Sequence, residues 1–79
     1  MIHENLKKIR LAKGVTQLHL AKKLGFSNMA YSRMENGKTK MDAEILKVIS
    51  KELDVGVEIF FNNELTESVI KELAVEEVI

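Results

Sequence analysis

The sequence contains no cysteine, no proline and no tryptophan. Without cysteine there is neither a disulfide framework nor a thiolate metal site. The two histidines, His3 and His19, are too few to make a zinc site alone. No apolar run approaches the roughly 20 residues that span a bilayer. The opening Met-Ile-His-Glu-Asn has neither the apolar core nor the cleavage pattern of a signal peptide. The expectation is a cytoplasmic chain without a membrane anchor. There is no glycine-rich phosphate loop and no His-Glu-x-x-His pattern. The acids follow helical spacing on polar faces rather than pairing around a pocket, so neither catalysis nor a cofactor is expected. A length of 79 residues gives one domain, near the lower limit for a self-sufficient core.

What is present begins with an uneven charge distribution hidden by a net charge of zero. Residues 1–40 carry nine Lys/Arg against Glu4 and Glu35, a net of +7. Residues 41–79 carry three lysines against ten acids, a net of −7. Such a division points either to a half that seeks a polyanion or to an uneven solvated surface.

Apolar residues recur at helical spacing almost throughout. The pattern predicts a first helix over about Asn5 to Lys13, ended by Gly14. Thr16 is a good N-cap for a second, Gln17 to Leu24, which buries Leu20, Ala21 and Leu24 and stops at Gly25. Phe26 is expected to turn inward and fill the wedge between helices. Ser27 caps a third helix, Asn28 to Glu35, and Asn36-Gly37 breaks it. Asp42 caps a fourth, Ala43 to Leu53, with Ile45, Leu46, Ile49 and Leu53 inside. Val57 to Phe61 reads as a short fifth helix, although Val-Glu-Ile-Phe-Phe alone also suits a strand. A last helical segment starts at Glu64 or Thr66 and ends at Ile79, with Val69, Ile70, Leu73 and Val78 in one stripe. The fold class is therefore all-α: five short helices over residues 1–62 and a C-terminal helical extension over 63–79.

Gln17 to Asn36 has the parts of a helix-turn-helix: buried Leu20 and Leu24 facing Tyr31 and Met34, small Ala21 at the crossing, and Gly25 in the turn. Asn5 to Phe61 as a whole resembles the lambda-repressor-like (Cro/cI, Xre) helix-turn-helix family. The resemblance rests on Ile9-Arg10, Gly14-Val15-Thr16-Gln17, Leu20-Ala21-x-x-Leu24-Gly25, Glu35-Asn36-Gly37-Lys38-Thr39, and Leu53-Asp54-Val55 followed by Ile59-Phe60-Phe61. Met41 departs from the proline common after this loop. Leu18-His19 replaces the commoner acids of helix 2, and Tyr31 replaces an aliphatic residue. The Tyr31 hydroxyl could then project toward a DNA backbone.

The resemblance implies a sequence-specific regulator of transcription, by default a repressor, that docks its third helix in the major groove of double-stranded DNA. With Tyr31 and Met34 inward, Asn28, Met29, Ser32 and Arg33 face bases. Arg33 suits guanine O6 and N7, Asn28 adenine N6 and N7, and Met29 a thymine methyl. Thr16, Gln17, Ser27, Asn36, Lys38 and Lys40 are the implied phosphate contacts. Arg10 and Glu35 are the implied structural ion pair. Plainer readings stand beside these: Arg33 as a solvated charge, Met29 packed on the loop after helix 3, and each histidine as a lone surface residue.

The family generally binds palindromes as homodimers. Val57, Ile59, Phe60, Phe61, Val69, Ile70 and Leu73 are the candidate dimer seam; the alternative is that the extension folds back on its own monomer. Antitoxins of toxin–antitoxin pairs and controller proteins of restriction–modification systems share the fold, so an acidic C-terminal segment that holds a protein partner is the rival function.

Overall fold

The computed structural model describes residues 2–78, with side chains described for residues 2–74. Helices α1 (Ile2–Ala12), α2 (Gln17–Leu24), α3 (Asn28–Glu35) and α4 (Ala43–Leu53) lead to a 3-10 turn (Val57–Phe61) and then α5 (Asn63–Val78). The described residues contain no strand. The expected end at Ile79 and the Val78 side chain lie outside the described residues. Among the described residues, no helix is long and apolar enough to cross a membrane.

Local chemistry sets most boundaries. Thr16 Oγ1 accepts the His19 N–H at 3.1 Å, Ser27 Oγ the Ala30 N–H at 3.1 Å, and Asp42 Oδ1 the Ile45 N–H at 2.9 Å. Each side chain satisfies a donor that the first helical turn leaves without a partner, which is worth about 1 kcal/mol. Gly25 ends α2 at φ +74°, with its N–H turned back to the carbonyls of Ala21 and Lys22. A side chain there would be forced into the left-handed region, so the turn between α2 and α3 depends on glycine.

Leu6 and Ile9 of α1, Leu20 and Ala21 of α2, Tyr31 and Met34 of α3, Leu46, Ile49 and Leu53 of α4, and Phe60 of the 3-10 turn form the buried core. Two details differ from the sequence reading. The first helix starts at Ile2 rather than Asn5, because Ile2 packs against the core and His3 covers Gly37. Gly37 has φ +78°, a left-handed conformation that a side chain would strain, and a Cβ there would also displace the His3 ring. Phe26 does not turn inward but stays 37% exposed; the buried aromatic ring of the helix-turn-helix is that of Tyr31, at 0%.

The C-terminal segment lies on α1. Asn5, itself buried, donates through Nδ2 to the Phe60 carbonyl and to Asn63 Oδ1, both at 2.9 Å. Thr66 Oγ1 donates to the Ile59 carbonyl at 2.6 Å, and Lys8 pairs with Glu67 at 3.1 Å. Ile59, Val69 and Ile70 pack on the core of their own monomer. Phe60, expected as part of a dimer seam, is fully buried within the monomer and cannot reach a second copy. Successive side chains of a 3-10 turn point about 120° apart, and here Phe60 faces inward while its neighbour Phe61 is 59% exposed.

Candidate nucleic-acid interface

The outward face of α3 follows from its inward one. An eight-residue helix that buries Tyr31, Met34 and Glu35 must present the intervening positions elsewhere. Asn28, Met29 and Arg33 are exposed, and Ser32 is half-buried. These four line an open concavity of about 630 Å³ together with Gln17 from the start of α2 and Asn36 and Lys38 from the loop after α3. Among the described residues its charged lining is Arg33 and Lys38, with no acid. Met29 is 69% exposed rather than packed on that loop.

Other expected contact residues stand around this hollow rather than in it. Lys40 lines a neighbouring hollow of about 350 Å³, with His3 and Met41, and Lys38 borders both. Thr16 and Ser27 are exposed at the first turns of α2 and α3. Each accepts a backbone N–H, which leaves its hydroxyl hydrogen free to donate outward. His19 lies away from the hollow and pairs with Glu52 of α4 at 3.1 Å.

Beneath the concavity is a buried ionic cluster. Arg10 Nε donates to Glu35 Oε2 at 2.8 Å and Nη2 to Oε1 at 2.7 Å, while Nη1 donates to the Val15 carbonyl at 2.8 Å. Arg10 is 6% exposed and Glu35 1%. The fork thus ties α1 to the end of α3 and to the loop that enters α2, and it does not face the concavity. Burial by itself raises the Glu35 pKa, but hydrogen bonds from Arg10 and Gln17 and the charge of Arg10 outweigh it. The carboxyl is held below its ordinary value of 4.5.

Tyr31 corrects an expectation. Its hydroxyl does not project toward a surface; it is buried beside the Glu35 carboxylate. Burial, and then the charge of the nearby Glu35 carboxylate, push its pKa upward, so the phenol stays neutral.

Sequence reasoning missed one link. The Gln17 side-chain amide donates to Glu35 Oε1 at 3.2 Å. A signal for it exists: a carboxylate has about four acceptor positions, and one arginine fork fills only two.

A family model described as helix-turn-helix matches residues 6–60. The chain is 39% identical over 74 residues to the uncharacterized HTH-type transcriptional regulator YqaE of Bacillus subtilis (strain 168), covering 94% of this chain and 64% of that protein. It is 34% identical over 55 residues to the antitoxin PezA of Streptococcus pneumoniae, covering 70% of this chain and 35% of that protein. The chain thus spans less than two thirds of the length of either relative. No solved structure matches it.

Proposed function

Because the chain belongs to the Xre/cI-like helix-turn-helix family of DNA-binding transcriptional regulators, we propose that it represses transcription by binding, as a homodimer, an operator with two half-sites about one helical turn apart. The observation that carries this reading is the acid-free concavity in which α3 displays Asn28, Met29, Ser32 and Arg33 side by side. Arg33 pairs with guanine, Asn28 with adenine, and Met29 touches a thymine methyl, while Ser32 serves a base or a phosphate. Gln17, Asn36, Lys38 and Lys40, with the Thr16 and Ser27 hydroxyls, hold the phosphates on either side.

Selection of bound fragments from random DNA, followed by mobility shifts, tests this. Arg33→Ala is expected to weaken the selected site by about 1–3 kcal/mol and to relax base preference at one position of each half-site. Lys38→Ala is expected to weaken all sequences alike and to lower the slope of log affinity against log salt by about 0.9. Unchanged affinity in both variants would remove the DNA-reading role of this face.

We assign the dimer seam to fewer residues than the sequence suggested. Of the expected residues, Phe61 and Val57 remain exposed, and Leu65 of α5 is exposed as well. These exposed apolar residues are the surface we assign to the second copy. Phe61→Ser is expected to shift sedimentation toward monomer and to reduce operator affinity at low protein concentration. A native chain that sediments as a monomer at high micromolar concentration contradicts the homodimer.

A second reading has its own support. The antitoxin relative favours a chain that also holds a protein partner, and the acidic exterior of α5, with Glu64, Glu67 and Glu72 exposed, is where that partner would bind. Co-purification of a basic partner lost on charge reversal of these three residues, with DNA binding intact, distinguishes this use from DNA recognition.

A further inference from the structure

Gln17 and Glu35 belong to different helices, and their hydrogen bond joins the lining of the concavity to the buried cluster beneath it. Glu35 is 1% exposed and is gripped through both oxygens by Arg10. A carboxylate can only accept, so the Gln17 atom turned toward it is the nitrogen. The usual freedom of a glutamine amide to present either edge is thereby removed. A surface glutamine without such an anchor gives up several rotamers when it meets a ligand; an anchored one has already lost them on folding.

We propose that Glu35 is a positioning residue for nucleic-acid contact: it fixes the Gln17 carboxamide with its nitrogen inward, so that the one remaining amide hydrogen is held ready to donate to a DNA phosphate. The ion pair with Arg10 then has two tasks. Arg10 bridges from α1 to the Val15 carbonyl just before α2 and to Glu35 at the end of α3. Glu35 in turn passes that alignment to the first residue of α2. The consequence for affinity rests on the DNA-binding reading above, whereas the placement of Gln17 does not.

Two measurements test the proposal. The first is a cycle on affinity for the selected DNA site. Gln17→Ala is made in the native chain and in a chain whose ion pair is replaced by apolar residues of similar size, Arg10→Met with Glu35→Leu. Circular dichroism confirms that each chain is folded under the binding conditions. The loss caused by Gln17→Ala is expected to be at least about fivefold greater in the native chain than in the apolar background. Equal losses in the two backgrounds mean that Glu35 does not act through Gln17 and overturn the proposal. The second uses the native chain without DNA. The order parameter of the Gln17 side-chain nitrogen is expected above about 0.6, approaching that of rigid backbone. A value below about 0.6 describes a free side chain and overturns the proposal even if the apolar background fails to fold. Should the native chain bind no DNA site specifically, the DNA reading fails while this second measurement still judges the anchoring of Gln17.

Discussion

Glu35→Ala is expected to remove about 3–5 kcal/mol of folding free energy, because it strands a buried guanidinium. Arg10 is 6% exposed, and two of its three hydrogen-bonding nitrogens point at Glu35 at 2.7 and 2.8 Å. Without the carboxylate, only the Val15 carbonyl remains to compensate a full positive charge. In a domain of this size each kcal/mol moves the thermal midpoint by about 4–8 °C. The midpoint should therefore fall by at least about 12 °C in a thermal melt followed by circular dichroism. Replacing both partners, Arg10→Met with Glu35→Leu, should recover most of that loss, since neither charge then needs desolvation. A midpoint within a few degrees of native for Glu35→Ala alone would show that the pair is not buried as described.

The same pair gives a pH dependence of defined sign. The Glu35 pKa in the fold lies below its ordinary value of 4.5. The stabilisation it contributes is therefore fully present above the ordinary carboxylate range. It is lost as pH falls through the lower value that Glu35 has in the folded chain. Stability measured by urea unfolding should drop on that acid limb, and the doubly apolar variant should lack this part of the drop.

Where a boundary depends on a residue's immediate neighbours, the amino-acid order was enough to place it. Thr16, Ser27 and Asp42 are caps because their oxygens reach a backbone N–H three residues ahead, and Gly25 is a stop because of its own φ. The outward face of α3 was legible for a related reason: two inward residues on a short helix leave little choice for the rest. Apart from the Arg10–Glu35 pair, which the family resemblance implied, contacts between distant segments were not legible. The early start of α1 needs His3 to meet Gly37 across the molecule. Tyr31 was expected inward and is, whereas Phe26, expected to fill the wedge beside it, stays partly exposed once α2 and α3 have crossed. The Gln17–Glu35 bond likewise needs both helices in place. Periodicity identified Ile59, Phe60, Val69 and Ile70 as apolar positions to be covered. It could not say whether a second copy or the chain itself covers them, and they pack within their own monomer.

Phe60→Ala is the variant that exposes this last distinction most sharply. Phe60 has no exposed surface and packs in the cluster formed by α1 to α4. Its carbonyl also accepts from Asn5, which binds Asn63 at the same time. Truncation of a buried phenylalanine removes transfer energy and leaves a cavity, together about 3–5 kcal/mol. The loss should be largest in the docking of the 3-10 turn and α5 on α1, so amide hydrogens of α5 should lose protection before those of α3. Phe61→Ala provides the contrast. Phe61 is 59% exposed, so this change should leave monomer stability within about 0.5 kcal/mol while weakening self-association. Urea unfolding at a concentration low enough to keep the chain monomeric separates the two. If Phe60→Ala unfolds like native and Phe61→Ala does not, the inward and outward assignments of the 3-10 turn are reversed. The surface assigned to the second copy would then have to be redrawn around Phe60.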